Sequence, residues 1–170
     1  MSVILKRRSV RKFDLSKKVS YETLLELCKY AESAPTAKNQ KSREYIIIDD
    51  DAIIEKMAPI AKGTMLLKDC NTVIAVIGVS PDSIITPVMQ AQDLSAATEN
   101  ILIHATELNI GSCWLGVYPH EDRMDALNEI LEVKNGSFVF SLIALGYPKD
   151  ENAFYDSNKF NIEKIHHNKY

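Results

Sequence analysis

Apolar residues recur along this chain at helical spacing in some stretches and run together in others. The pattern predicts a mixed order of helices and strands. Ser20 can cap a helix running to about Ser33, with Leu24, Leu25, Leu27, Cys28 and Ala31 as its apolar positions. Ala34 to Arg43 is polar, is broken by Pro35 and reads as a loop. Tyr45-Ile46-Ile47-Ile48 is a short apolar run, expected to be a buried strand. Asp51 to Ala61 reads as a helix with Ile53, Ile54 and Met57 on one side, followed by a shorter helix from Gly63 to Asp69. Thr72 to Val79 is β-branched and apolar throughout, as in a strand covered on both faces.

The longest helical stretch runs from about Pro87, which suits a first turn, to Leu108. Leu94, Ala97, Ile101, Ala105 and Leu108 recur at helical spacing, and Leu102 and Ile103 widen the stripe until the second half is apolar nearly all round. In a chain of this length such a helix suggests a partner subunit. Cys113 to Val117 reads as a strand interrupted by Gly116, His120 to Leu131 as a helix, and Phe138 to Leu145 as a strand ended by Gly146-Tyr147-Pro148. Lys149 to Tyr170 is polar and irregular, either a frayed tail or an arm that wraps another subunit.

Against this frame the segment Arg7-Arg8-Ser9-Val10-Arg11-Lys12-Phe13 stands out. Val10 and Phe13 are interleaved with four cations, so the segment is expected to pack on a body and to hold its charges in place. Arginine forks and a serine hydroxyl in fixed positions suit an anion such as a phosphate monoester. A solvated basic face or a nucleic-acid patch has the same short pattern. The whole chain shifts the balance, because 170 residues with net charge −3 lack the basic excess of a dedicated nucleic-acid binder.

A composition 46% hydrophobic and 25% charged is sufficient for one domain with a proper core. No apolar run is long enough to span a bilayer, and no secretory signal is visible. Cys28, Cys70 and Cys113 are odd in number and far apart, which fits reduced thiols in a cytoplasmic protein.

Several chemistries find no support. His104, His120, His166 and His167 have no metal-ligand spacing, and no GxSxG, GxGxxG or GxxxxGK[ST] occurs. His104 lies in an apolar helix and reads as a satisfied core histidine; Cys113 beside Trp114 reads as a buried small hydrophobe. An anion site without an acid–base pair or metal set fits an enzyme whose chemistry belongs to a bound organic cofactor. Gly116 would allow close backbone approach, and Asn39 could hydrogen-bond ring heteroatoms. Trp114 fits a flat slot and core packing equally, and Asn39 fits a loop turn as well.

Five segments carry a resemblance: RRSVRKF at Arg7 to Phe13, APTAKNQ at Ala34 to Gln40, QDLSAATENILIHATELNIGSCWLGVYP at Gln92 to Pro119, LIALGYP at Leu142 to Pro148, and NKFNIEKIHHNKY at Asn158 to Tyr170. In this order they resemble the nitroreductase family of FMN-dependent oxidoreductases, in its compact bacterial and archaeal form. The resemblance implies an α+β fold in one domain spanning 1–170. A mainly antiparallel sheet of four or five strands would be flanked by helices in an intertwined homodimer, with FMN in the dimer interface. By position it gives Arg7, Arg8, Ser9 and Arg11 to the phosphate and ribityl end of FMN, with Lys159 closing on the phosphate. Pro35, Thr36, Ala37 and Asn39 would reach FMN from the other subunit, and Trp114, Leu115 and Gly116 would lie over one ring face.

No residue is assigned as catalytic or metal-binding. The implied activity is a ping-pong exchange in which NADH or NADPH reduces the flavin and a nitroaromatic or quinone-type acceptor reoxidises it. Dehalogenation, enoate reduction, flavin breakdown or flavin binding without turnover would suit the same scaffold. Lys41-Ser42-Arg43 stands where the family commonly has Gln-Pro-Trp, which bears on the loop's rigidity. Lys159 replaces a usual Arg, and Tyr170 a frequent Trp.

Overall fold

The computed structural model describes residues 2–156 and 158–170. Four strands form one antiparallel sheet: β1 (Arg43–Ile48), β2 (Val73–Gly78), β3 (Gly111–Gly116) and β4 (Phe138–Gly146), in the order β1-β2-β4-β3. Val73, Ala75 and Ile77 of β2 enter one apolar layer, and Ile74 and Val76 enter the other. All six residues of β2 are buried, so its sequence has no polar alternation because neither face meets water. β1 differs from the buried strand expected. Ile46 and Ile47 are only half-buried, since β1 lies at the sheet edge and pairs with β2 alone.

Helices cover both faces. α1 (Val3–Lys6) is a single turn that the sequence pattern did not suggest. α2 (Tyr21–Glu32) begins where Ser20 Oγ accepts a hydrogen bond from the Thr23 amide at 3.3 Å. It buries Leu24, Leu27 and Ala31, while Leu25 turns to solvent. α3 (Asp51–Met57) is capped by Asp50, whose carboxylate accepts from the amides of Ala52 and Ile53. It ends before the expected Ala61, because Pro59 has no N–H to continue the ladder. The chain goes on through 3-10 turns at Ala58–Ile60 and Lys62–Asp69. α4 (Gln90–Glu107) follows a 3-10 turn at Pro87–Met89, and α5 (Glu121–Ile130) bridges β3 and β4. The described part of the tail holds one 3-10 turn, Ile162–Lys164, and is largely exposed; Ser157 lies outside the described residues.

Much of the apolar surface of α4 is covered within the chain, at Ile101, Leu102 and Ala105, while Ile103 stays only half-buried. α2 packs along the helix on one side, β2, β3 and β4 on another, and α1 touches it as well. His104 is also satisfied here: its ring nitrogens lie 2.9 Å from Glu107 and 3.0 Å from Glu26, and it stacks on Tyr30.

The N-terminal segment is docked, as its apolar spacing implied. The Val10 amide donates to Ser112 O at 2.9 Å, the Asp14 amide to Tyr147 O at 2.9 Å, and the Lys149 amide to Lys12 O at 3.0 Å. Val10 and Phe13 are buried on two glycines, Gly111 of β3 and Gly146 of β4, which face each other in register. A Cβ on Gly111 would lie 2.8 Å from Val10 Cγ1, and one on Gly146 would lie 3.0 Å from Phe13 Cδ1. The missing side chains are what let the basic segment lie flat on the sheet. Gly111→Ala is therefore expected to destabilise the fold by about 1–3 kcal/mol through overpacking. Gly63→Ala, whose Cβ would meet nothing within 4 Å, should stay within about 0.5 kcal/mol of the parent in the same urea titration.

Candidate functional site

The docked segment forms one wall of a hollow of about 490 Å³ lined by Arg7, Arg8, Ser9, Val10, Arg11, Lys12, Asp150, Asn152, Ala153, Tyr155 and Lys159. Five cationic side chains face one carboxylate there, in a chain whose net charge is −3. Arg7 is held by Glu99 of α4, with Nε 3.1 Å from Oε1. Burial pushes the Glu99 carboxyl up and the arginine pulls it back. Arg8 donates to the carbonyl of Leu5 at 3.0 Å and to that of Arg7, so it closes the end of α1. Its guanidinium also sits 4.6 Å from the centre of the Tyr155 ring. Its Nε is buried and finds no hydrogen-bond partner among the described residues, which leaves a donor suited to an anion. Arg11 Nη1 donates to Ser9 O at 3.2 Å.

Arg11 also lines a second hollow, of about 480 Å³, at the end of β3. Trp114, Leu115 and Gly116 border it, with Lys62, Gly63 and Thr64 on one rim and Tyr118, His120 and Arg123 on the other. A Cβ added to Gly116 would meet nothing within 4 Å, so the backbone here opens onto free space. Arg123 Nη1 donates to Gly116 O at 3.2 Å. Trp114 is half-buried, and its ring lies 6.3 Å from Phe140 in the layer under α2 and α4. Arg11 thus joins a basic cradle to a second hollow with an aromatic rim.

Pro35, Thr36, Ala37 and Asn39 border neither hollow in this chain. They lie in a loop held against α4 by Asp93, a residue that sequence reasoning missed. Asp93 is buried, and its carboxylate accepts from the Ala37 amide at 2.9 Å, Gln40 Nε2 at 2.7 Å and Ser42 Oγ at 2.9 Å. Lys38, Asn39 and Lys41 all have left-handed backbones, with φ of 50°, 52° and 48°. Such residues cost about 1–2 kcal/mol each, so the loop needs this clamp to hold its shape. Arg43 secures the other end. Its buried guanidinium donates to Glu32 O at 2.9 Å and Ala34 O at 2.7 Å, and its Nε lies 3.1 Å from Glu32 Oε1. Ser42 and Arg43 therefore fix the loop by polar contacts. A signal for Asp93 was present: it is a carboxylate beside Leu94, three residues after Gln90, on the face that turns inward.

No thiol is activated. Burial pushes Cys28 up to about 11, with Glu32 adding to the rise, and burial also raises Cys70 and Cys113. Among the described residues no three His, Cys, Asp or Glu side chains gather into a group that could hold a metal ion. No helix among them is long and apolar enough to cross a membrane.

The sequence profile of the Nitroreductase family matches residues 4–77 and 66–147, and the chain belongs to that family. It is 39% identical over 171 residues to an Archaeoglobus fulgidus protein named "Putative NADH dehydrogenase/NAD(P)H nitroreductase", covering 100% of this chain and 98% of that one. Its fold is similar to that of a Clostridium acetobutylicum "Putative NADH Oxidase", with 35% identity and a TM-score of 0.91 over 99% of this chain and 100% of the other. A Clostridium difficile "FMN-dependent Nitroreductase" superposes with a TM-score of 0.89 at 27% identity, over 99% of each chain. The α+β fold with its antiparallel sheet is thus the fold of this family.

Asp93→Ala is expected to lower unfolding free energy by roughly 2–4 kcal/mol, the scale of losing charged hydrogen bonds and leaving buried donors unpaired. Urea denaturation would measure this, and a loss below about 0.5 kcal/mol would mean that the loop does not depend on the clamp. Each of the three thiols should alkylate with iodoacetamide at pH 7 more slowly than free cysteine, because little thiolate is present. Mass spectrometry over a time course reads this directly.

Proposed function

We propose that the protein is an FMN-dependent oxidoreductase that carries electrons from NADH or NADPH to nitroaromatic or quinone-type acceptors, in a ping-pong exchange. One observation carries the reading: the basic cradle at Arg7 to Lys12 runs through Arg11 into the open hollow beside Gly116. A cradle of cations with an unpartnered buried donor suits a phosphate, and open space against a glycine backbone suits a flat ring. FMN has both parts. When bound, it supplies a ring that takes two reducing equivalents from a nicotinamide and yields them to an acceptor. The names of the relatives, an NAD(P)H nitroreductase and an FMN-dependent nitroreductase among them, support the same reading.

The residues have separate parts in this scheme. Arg8 and Arg11, with Arg7 oriented by Glu99, hold the phosphate, Ser9 donates its hydroxyl, and Lys159 adds a point charge from the tail. Trp114, Leu115 and Gly116 border the ring and keep water from one side of it. Pro35, Thr36, Ala37 and Asn39 complete the site from a second copy of the chain, with the Asp93 clamp setting the loop's shape beforehand. The homodimer is supported by apolar side chains left in solvent by one copy: Val88, Phe160, Ile162 and Ile165 are 86%, 75%, 67% and 62% exposed. Residues 1–170 act as one domain, and the thiols, all free, suit the reducing cytoplasm.

Denaturing the purified protein should release FMN and no FAD. In titrations of the apo-protein, Arg8→Ala is expected to weaken FMN binding by roughly ten- to several-hundred-fold, as loss of one or two charged hydrogen bonds predicts. Lys159→Ala should cost much less. Equal affinities would put the phosphate elsewhere. Sedimentation should give a dimer that does not dilute into a folded, flavin-bearing monomer. Double-reciprocal plots at several acceptor concentrations should be parallel, because donor and acceptor use one hollow in turn; converging lines would mean that both are bound together.

A further inference from the structure

The hollow beside Gly116 carries more positive charge than the proposed activity needs. Arg11, Lys62, His120 and Arg123 line it, and among the described residues no aspartate or glutamate does. In a chain whose acidic residues outnumber its lysines and arginines, 23 to 20, an acid-free hollow is a local exception. A neutral nitroaromatic or quinone would leave these cations without a partner. Arg11 also belongs to the phosphate cradle, so Lys62 and Arg123 are the charges left over.

Arg123 is the better placed of the two. It lies in the first turn of α5 and is half-buried. Its Nη1 is tied to Gly116 O at 3.2 Å, which holds the guanidinium at the hollow's edge, and among the described residues Nη2 and Nε have no hydrogen-bond partner. Tyr118 lines the same hollow, and its half-exposed ring is backed by Phe138 and Phe140, with centroids 5.9 and 5.6 Å away. A fixed guanidinium and a braced aromatic ring in one hollow suit a ligand that is itself a flat ring with an anionic substituent.

We propose that this hollow selects aromatic electron acceptors bearing a carboxylate, and that Arg123 determines the preference. The selection rests on the oxidoreductase reading above; the preference for an anionic ring does not. The phosphates of the nicotinamide are the other source of the same charge, and the experiment separates the two.

Kinetics with saturating nicotinamide would compare 4-nitrobenzoate with the isosteric, neutral 4-nitrobenzamide. Arg123→Gln should lower kcat/KM for 4-nitrobenzoate about ten-fold or more, the effect of one charge-assisted hydrogen bond. It should leave 4-nitrobenzamide within two-fold, and Arg123→Lys should recover most of the preference. A ratio unchanged by Arg123→Gln, together with a raised KM for NADH or NADPH, would give the charge to the nicotinamide and overturn the proposal. Loss of bound flavin in Arg123→Gln would make Arg123 a cofactor residue and overturn it as well.

A second readout needs no turnover. Calorimetric titration of the purified, flavin-loaded protein should show benzoate binding at least ten-fold more tightly than benzamide, with the difference lost in Arg123→Gln. Benzoate preference in a protein that reduces no acceptor would sink the oxidoreductase reading and keep the anion-selective hollow. Turnover of nitroaromatics with equal binding of benzoate and benzamide would do the reverse.

Discussion

Everything at the basic end of the molecule depends on two glycines facing each other across β3 and β4. Gly111 and Gly146 remove side chains at one point of the sheet, and Val10 and Phe13 occupy the space. Without that contact the segment would be a mobile cationic strand, whose ordering entropy any ligand would have to offset on binding. With it, the arginines are fixed before an anion arrives. Apolar packing here does electrostatic work: it sets where charge sits, and the backbone bonds from Val10, Asp14 and Lys149 keep the register.

Charge is managed in the same region by pairing some groups and leaving others open. Glu99 holds Arg7, and the carbonyls at the end of α1 hold Arg8, yet Arg8 keeps one buried donor unmatched. A buried donor of this kind costs stability in the empty protein. Such a cost is ordinary at a binding site, where the ligand supplies the missing acceptor. In the first turn of α4, Asp93 is fully engaged by the Pro35 loop. One helix thus supplies a carboxylate to each of two regions: Glu99 orients a cation, and Asp93 fixes backbone.

Much of this architecture was legible in the residues themselves. Val10 and Phe13 announced a docked segment, Ser20 announced a helix start, and the unbroken run in β2 announced a strand covered twice. Other features were present but outweighed. Pro59 stops α3 early, although the apolar pattern continues past it. Three consecutive isoleucines read as interior, but on this edge strand only Ile48 is fully buried, and Ile46 and Ile47 are half-buried. Part of the apolar excess of α4 is covered within the chain, because α2 and three strands converge on it, which a single sequence does not reveal. For the site, the arginine cluster and Gly116 meet through Arg11, as a continuous cofactor would require. The Pro35 loop does not join them within one chain. Its shape depends on left-handed residues and on a distant carboxylate, neither of which leaves a periodic trace.

The strand order also governs when this molecule can become functional during synthesis. β4 lies between β2 and β3, so β3 has no partner in the sheet until the last strand has been made. The floor beneath Val10 and Phe13 is built from those two late strands, and Phe13 bridges to Pro148. The cationic residues of that segment are therefore made well before the strands that hold them. Until then they remain an unshielded basic segment, exposed to any polyanion nearby. Closing so long a span is slow, and the anion cradle can exist only once β4 has been made.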